Sequence, residues 1–518
     1  MNALWQRTRR AYTVAEALRA GVQGDVAALV LGALLVLAFA PFGFYPLAVL
    51  APAGLLWLIA PLGWRRAAWR GFLFGFAEFL CGVHWIYISL HGMGGVDSFV
   101  AVLMLVLLVA VMAAYSAAAC AMAAAWAPAG GWRRHVLLFP AAWTLMEWLR
   151  GWFLTGFPWL NLGYSQVDGP LRGYAPLWGV FGVTFCVILS AGLLLTLADA
   201  RVPRRQRGGA AGGFVMLWIV SASFALVHWT HPAGAPFQVS LVQGNIAQDE
   251  KWAPEYFEPT LQMYRKLTDA HWDSRLVIWP EAAVPAYADE VKLTYLDPLE
   301  AAAQKHGTDI LLGIPTYDPV GDDYYNSVIS LGASDGEYHK RHLVPFGENF
   351  EFLPAWVRSL LRSMDLPYSS FTPGAADQPL LKAAGYPVGV SICYEDAFGN
   401  EIMRALPQAA FLVNVSNDGW FGNSIALPQH LEIARMGALE AGRYLLRTTN
   451  TGITAIVDDG GRVLAQAPVG KQSVLNGSVE PLAGGTPASW WGNFPAVCVS
   501  LLLLLAACLW SKRRGGKA

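Results

Sequence analysis

A chain with seven apolar stretches in its first 230 residues and an eighth near its end cannot bury all of its side chains in a water-soluble core. The stretches are 25–40, 44–61, 68–90, 97–126, 135–152, 174–199 and 211–229, and the last is 493–510. A helix that crosses the hydrocarbon of a bilayer needs about 20 mostly apolar residues, which these runs approach. Between the seventh and eighth, residues from about 235 to 485 have ordinary globular composition. The pattern predicts an eight-helix transmembrane bundle, with about seven spans over 1–232 and the last helix with a basic tail over 489–518, and between them a soluble α/β domain over 233–488. Only 14% of the residues are charged, against about 25% in soluble proteins, and the net charge of -1 argues against a nucleic-acid partner.

The first run follows Arg7, Arg9 and Arg10 and ends in Ala38-Phe39-Ala40, which has the form of a signal-peptide cleavage site. Pro41 disfavours cleavage there, so the run is read as a retained helix. Arginine and lysine collect on the cytoplasmic side of membrane proteins. They cluster at the N-terminus, after run two (Arg65, Arg66, Arg70), after run four (Arg133, Arg134), after run six (Arg201, Arg204, Arg205, Arg207) and at the C-terminus (Lys512, Arg513, Arg514). In an eight-span topology every cluster falls on one side, with Arg150 and Arg172 as exceptions. Both termini are then cytoplasmic and the inserted domain lies outside the cytoplasm. Glu78, His84 and Glu147 fall inside the runs, where ionisable residues are candidates for function or for bundle-fixing hydrogen bonds.

Five of the six cysteines lie in or beside apolar runs; Cys393 alone belongs to the inserted domain, in GVSICYEDAF. A lone cysteine in an oxidising compartment cannot staple its own domain, which points to chemistry. The domain alternates strand-like runs (237–246, 275–283, 309–317, 326–332, 386–395, 409–417, 452–459) with helical ones (259–271, 297–307, 428–444), an α/β pattern. Sites in α/β folds gather at the carboxyl ends of strands. There RLVIWPE offers Glu281, YHKRHLVPFGE offers Lys340 and Glu348, and SICYE offers Cys393. A thiol is a weak nucleophile until a base takes its proton, and a nearby ammonium stabilises the oxyanion that forms on attack. Glu281, Lys340 and Cys393 supply base, cation and nucleophile. No zinc-ligand spacing, P-loop or dinucleotide fingerprint is present, so neither metal nor cofactor is expected.

The set WPE, HKRHLVPFGE and CYE, in the order Glu, Lys, Cys, resembles the nitrilase superfamily of carbon–nitrogen hydrolases. With eight spans around it, the chain resembles the apolipoprotein N-acyltransferase family within that superfamily over nearly its whole length. The resemblance implies an αββα sandwich and a catalytic triad of Glu281, Lys340 and Cys393. It implies support from Glu348, Tyr394 and Glu395, and substrate contacts at Trp252, Phe346, Gly156 and Trp159. It further implies transfer of an acyl chain from a phospholipid, chiefly phosphatidylethanolamine, through a thioester to the α-amine of a lipoprotein's diacylglyceryl cysteine. No cofactor takes part, and the expected setting is the bacterial inner membrane, with the site facing the periplasm and the protein acting as a monomer.

Two expectations go further. The stretch 147–166, rich in tryptophan, is expected at headgroup level as part of a lipid entrance, and 343–356 as a lid that keeps water from the thioester. Two rival functions share these features. One is a tethered amidase or nitrilase for small substrates, for which seven preceding spans are excessive. The other is a transporter or receptor with a degenerate domain, against which the intact triad speaks.

Overall fold

The computed structural model of the protein describes residues 19, 21–127, 131–345, 347–348 and 371–515. The chain forms two compact units: residues 1–84, 102–227 and 493–518 in the first, and 85–101 with 228–492 in the second.

The first unit is helical. Each apolar run becomes a helix: Val22–Leu35, Leu47–Ile59, Trp64–Gly82, Ser98–Trp126 (from residue 102), Phe139–Arg150, Ala175–Ala198, Arg204–Phe224 and Phe494–Gly515. Among the described residues, two helical stretches, Ser98–Trp126 and Pro170–Ala198, are long and apolar enough to cross a membrane. A third is reached if Trp64–Gly82 and Trp85–Met93, bent by 52°, count as one span. Val22–Ala38, Leu47–Ile59 and Phe494–Leu509 are apolar but shorter. Glycine permits close helix approach here. A Cβ on Gly32 would lie 2.0 Å from Phe74 O, and one on Gly192 would lie 1.9 Å from His135 O.

Several arginines counted above as topology signals turn out to be caps. A helix leaves its last carbonyls without partners, and a cation there meets both the hydrogen-bonding need and the negative end of the helix dipole. Arg70 donates to Leu58 O at 2.8 Å, Arg134 to Ala60 O at 2.8 Å and Ile59 O at 3.3 Å, and Arg207 to Leu197 O at 2.9 Å. Arg150, the exception to the charge pattern, is buried and donates to Phe157 O, Trp159 O and Asn161 Oδ1. Glu147 accepts from Trp143 Nε1, Leu162 N and Thr184 Oγ1, and His84 Nδ1 lies 2.8 Å from Cys81 O. Glu78 is buried and lines a small cavity with Glu147 and Arg150.

The second unit is an α/β sandwich. Its strands are β1 (Thr230–Pro232), β2 (Phe237–Gln243), β3 (Leu276–Ile278), β4 (Asp309–Asp318), β5 (Asp323–Leu331), β6 (Gly336–His339), β7 (Leu381–Ala383), β8 (Tyr386–Ile392), β9 (Phe411–Ser416), β10 (Leu445–Thr449), β11 (Ala455–Val457), β12 (Val463–Gln466), β13 (Ser473–Val479) and β14 (Leu482–Gly484). Among the described residues they form two six-stranded sheets, β13-β2-β3-β4-β5-β6 and β12-β11-β10-β9-β8-β7, and β1 pairs with β14. Each sheet has a parallel trio at its heart, β2-β3-β4 and β8-β9-β10, flanked by antiparallel strands.

Strand side chains alternate between faces, and that alternation builds three layers of core. Leu276 and Ile278 point between the sheets with Val239, Leu241, Val388, Phe411, Val413 and Leu446. Val277, one residue out of phase, packs outward with Leu261 and Tyr264 of helix Pro254–Asp269 and Leu299 of helix Asp297–His306. On the opposite side Leu412, Leu445 and Val457 meet Leu431, Ala434 and Ala438 of helix Ala426–Ala441. The result is helix, sheet, sheet, helix. The predicted helix 428–444 stops at Ala441 because Gly442 adopts a left-handed φ of 60°, and β10 follows at once. The sequence reading contains no strand there, although all five residues of β10 are buried.

Residues 85–101 were expected within the bundle, but they pack with the sandwich. Trp85 Nε1 donates to Gln429 Oε1 at 3.2 Å, and its ring meets Phe421 edge-on at 4.7 Å. Asp309, buried at the start of β4, ties the two sheets together, because Oδ1 accepts from Ala333 N at 2.8 Å and Oδ2 from Ala384 N at 2.7 Å. Asp309→Ala would leave both amides unpaired and is expected to cost about 2 kcal/mol or more. The check is the midpoint of thermal unfolding, which should fall clearly.

Candidate active site

The candidate residues lie at the carboxyl ends of strands, three of them parallel strands and one the antiparallel edge strand β6. Glu281 follows β3 through Trp279 and Pro280, Lys340 follows β6, Cys393 follows β8, and Asn417 follows β9. The Pro280-Glu281 step presses against β4 where that strand has only Gly313. A Cβ there would meet Pro280 O at 2.4 Å and Glu281 Cα at 2.7 Å. Cys393 takes a φ of 52° and Ala282 a φ of 44°. A non-glycine residue in this region is strained, and such strain is a mark of functional sites.

Glu281, Lys340 and Glu348 form one buried polar group. Lys340 Nζ donates to Glu281 Oε1 at 3.2 Å and to Glu348 Oε1 at 2.9 Å. Asn326 Nδ2, from β5, bridges the same two oxygens at 2.8 and 3.0 Å. Glu281 Oε2 accepts from Asn417 N at 2.9 Å, and Glu348 Oε2 from Val344 N at 2.8 Å. Burial opposes the charge on Lys340, which is 1% exposed, but Glu281 and Glu348 outweigh it and hold the ammonium well above the usual lysine range. Burial, reinforced by the charge of Glu281, pushes the Cys393 thiol well up, while Lys340 and the neighbouring Ser416 side chain pull the other way. The resting sulfur is therefore a thiol, and only transfer of its proton makes it nucleophilic.

Glu395 joins the turn that bears Cys393 to the loop that bears Lys340. It accepts from Ile392 N at 2.7 Å, Arg341 N at 2.6 Å, His342 N at 3.1 Å and the Tyr338 hydroxyl at 3.1 Å. Burial pushes its carboxyl up to about 7 against those hydrogen bonds. Tyr394 packs edge-on against Phe398 at 5.0 Å and lies 5.8 Å from His342.

The four expected substrate contacts fare differently. Trp252 stands 53% exposed in the second unit, beside buried Lys251. Gly156, with φ 87°, and Trp159 belong to the first unit; Trp159 is 1% exposed and stacked on Phe157, while Trp152 is exposed. Phe346 lies outside the described residues, as does most of the expected lid, 343–356.

Sequence reasoning missed Asn326, Asn417 and Lys251. Asn417 sits in a visible polar cluster, SND, directly after a strand, which is the signal that would have found it. Lys251 Nζ donates to Glu281 O at 3.0 Å and feels the charges of Glu281 and Cys393, yet burial pulls its ammonium down to about 8. The folded protein thus sheds this proton near pH 8, whereas the unfolded chain holds it to about 10.4. Stability should therefore rise with pH across that window. Lys251→Met should remove that rise, as read from thermal midpoints between pH 8 and 10.

Residues 31–193 match the apolipoprotein N-acyltransferase N-terminal domain family, and residues 238–483 match the carbon-nitrogen hydrolase family. The chain is 48% identical over 500 residues to an apolipoprotein N-acyltransferase of Methylococcus capsulatus, covering 95% of this chain and 97% of the relative. It is 39% identical over 492 residues to that of Coxiella burnetii (94% and 100% covered) and 41% identical over 500 residues to that of Nitrosomonas europaea (93% and 97%). Among solved structures, Saccharomyces cerevisiae Nit3, a member of branch 10 of the nitrilase superfamily, aligns with 48% of this chain and 90% of its own. The TM-score is 0.36 and the identity 20%.

Proposed function

From the premise that the chain belongs to the apolipoprotein N-acyltransferase family, and so is a membrane enzyme that N-acylates lipoproteins, we propose how its own residues carry the reaction. Cys393 is the nucleophile, Glu281 the base and Lys340 the oxyanion stabiliser. The convergence of these three at the ends of β3, β6 and β8 carries the assignment.

In the first half-reaction Glu281 takes the thiol proton as sulfur attacks the ester carbonyl of a phospholipid, with phosphatidylethanolamine as the favoured donor. Negative charge collects on the carbonyl oxygen. Lys340, fixed by Glu348 and Asn326, and the main-chain N–H that follows the nucleophile stabilise that charge. The carbon–oxygen bond then breaks, the proton on Glu281 passes to the departing alcohol, and a thioester remains. In the second half-reaction the α-amine of a diacylglyceryl cysteine attacks the thioester, Glu281 receives the amine proton, and the proton returns to sulfur as the carbon–sulfur bond breaks. Lysophospholipid and an amide-linked lipoprotein are the products. Glu348 and Glu395 hold Lys340 and the nucleophile turn, Tyr394 flanks the sulfur, and Trp252 contacts lipid.

Both substrates are anchored in lipid, and extracting an acyl chain into water costs about 0.8 kcal/mol per methylene. That cost favours a site held at the membrane surface. We place the enzyme in the bacterial inner membrane as a monomer with eight spans, the α/β domain in the periplasm and both termini in the cytoplasm, on the strength of the arginine and lysine clusters. A reporter active only outside the cytoplasm should work when inserted near residue 488 and fail when fused after residue 518. The reverse pattern would invert the topology.

Incubation with phosphatidylethanolamine should add one acyl mass to Cys393, removable by hydroxylamine or by a lipopeptide with a free α-amine. Cys393→Ala should take up none, and Glu281→Gln should form the adduct at least about a hundredfold more slowly, the scale of a lost general base. A fully active Glu281→Gln protein would overturn these roles.

A further inference from the structure

Four buried charged residues lie beside the nucleophile and play no part in the proton transfers above. Asp396 shares the one-turn helix Cys393–Ala397, Asp418 opens the turn after β9, His430 comes from helix Ala426–Ala441, and Arg447 stands at the centre of β10. They close a ring. His430 Nε2 lies 2.9 Å from Asp396 Oδ1, and its Nδ1 lies 2.9 Å from Asp418 Oδ1. Arg447 donates to Asp396 Oδ2 at 2.6 Å through Nη1 and to Asp418 Oδ2 at 3.2 Å through Nη2. Each carboxylate thus gives one oxygen to the imidazole and the other to the guanidinium.

Three links run from the ring to the reacting groups. Arg447 Nη1 also donates to Asn414 Oδ1 at 2.6 Å, and Asn414 Nδ2 donates to Cys393 O at 3.3 Å and Ser391 Oγ at 2.9 Å. Ser416, whose hydroxyl donates to Asp418 Oδ1 at 2.8 Å, also interacts with the Cys393 side chain. Asn417, between Ser416 and Asp418, gives its N–H to Glu281 Oε2. The ring therefore braces the two strand ends that carry the nucleophile and hold its base.

We infer that His430, as an imidazolium paired with Arg447, is a positioning residue that balances Asp396 and Asp418 so that negative charge can form on Cys393. With His430 charged, two cations meet two carboxylates and the ring is neutral. With His430 uncharged, one net negative charge lies close to the sulfur and opposes the thiolate and the tetrahedral anion. The groups seen to face His430 among the described residues include Asp396 from the turn that bears Cys393, Asp418 and the Phe421 ring from the turn after β9, and Arg447 from β10. Burial, and Arg447 Nη2 at 2.8 Å from Nδ1, oppose its charge, but Asp396 and Asp418 prevail and push it up to about 9. The same cations outweigh burial at Asp418 and draw its carboxyl down to about 2. Because the folded value for His430 exceeds the ordinary value of about 6.5, its contribution is fully present below that pH and is lost as pH rises through about 9.

The inference rests on Cys393 being the nucleophile, and the test separates the two. In full-length protein with phosphatidylethanolamine vesicles, single-turnover acylation of Cys393 is followed by intact mass and peptide mapping from pH 7 to pH 10. His430→Gln is expected to slow acylation about tenfold or more at pH 7 without changing the lipid concentration at half-saturation, the effect of about one unit in thiol pKa. The ratio of wild-type to variant rate should fall towards one above pH 9. Adding Asp418→Asn restores neutrality and should recover most of the rate, which a purely structural role for His430 would not produce. Should His430→Gln alone fail to fold, the neutral double variant still reports, because its rate should lack the decline near pH 9. A His430→Gln protein with wild-type rate and pH profile, a double variant no faster than the single, or a double variant that keeps the decline would overturn the inference while leaving the nucleophile in place. An acyl group mapped to another residue would overturn both.

Discussion

The site depends on one buried cation shared by two carboxylates. Lys340 sits where water cannot solvate it, and a lone ammonium there would lose its proton; Glu281 and Glu348 keep it charged. Removing either carboxylate changes more than one contact, because breaking a buried ion pair leaves the remaining charge uncompensated. Glu281 is oriented by Lys340, Asn326 and the Asn417 amide, so its remaining freedom is small.

Around that group the fold repeats one solution. Each sheet brings parallel strands to a common edge, and the residues just past those strands carry the polar chemistry. Close packing makes room for this: Gly313 lets Glu281 approach β4, and Glu395 draws the Arg341 and His342 amides onto the turn that bears Cys393. The ring of Asp396, Asp418, His430 and Arg447 extends the network across β8, β9 and β10. Buried polar groups at this density are tolerable because so many of them are paired, although Arg447 Nε and Asn326 Oδ1 have no partner among the described residues.

In the helical unit the arginines have a second use. Arg70, Arg134 and Arg207 fall in the clusters that bias topology, and each also closes the carboxyl end of a helix. Arg150 does similar work for the main chain at 157–159, which explains why it breaks the charge pattern. The near full-length match to N-acyltransferases sets aside the amidase and transporter readings, which the triad alone left open.

What the sequence determined by itself is what repeats or what motif chemistry constrains. Apolar runs announced the helices, strand-like runs announced seven of the fourteen described strands, Glu281 and Cys393 were legible just past apolar strands, and Lys340 was legible from the motif around it. The tertiary structure alone decided the rest. Strand β10 was missed because LLRTT is short and carries Arg447 at its centre, a charge that only its buried partners Asp396 and Asp418 make tolerable there. Residues 85–101 were assigned to the bundle because hydropathy does not say which partner an apolar turn will meet. Asn326, Lys251, His430 and Arg447 look unremarkable in sequence, since their significance lies in partners 17 to 51 residues away or in charges that only folding brings within reach. Local pattern fixes which segments fold and what chemistry they carry; long-range contact fixes which charges share a site.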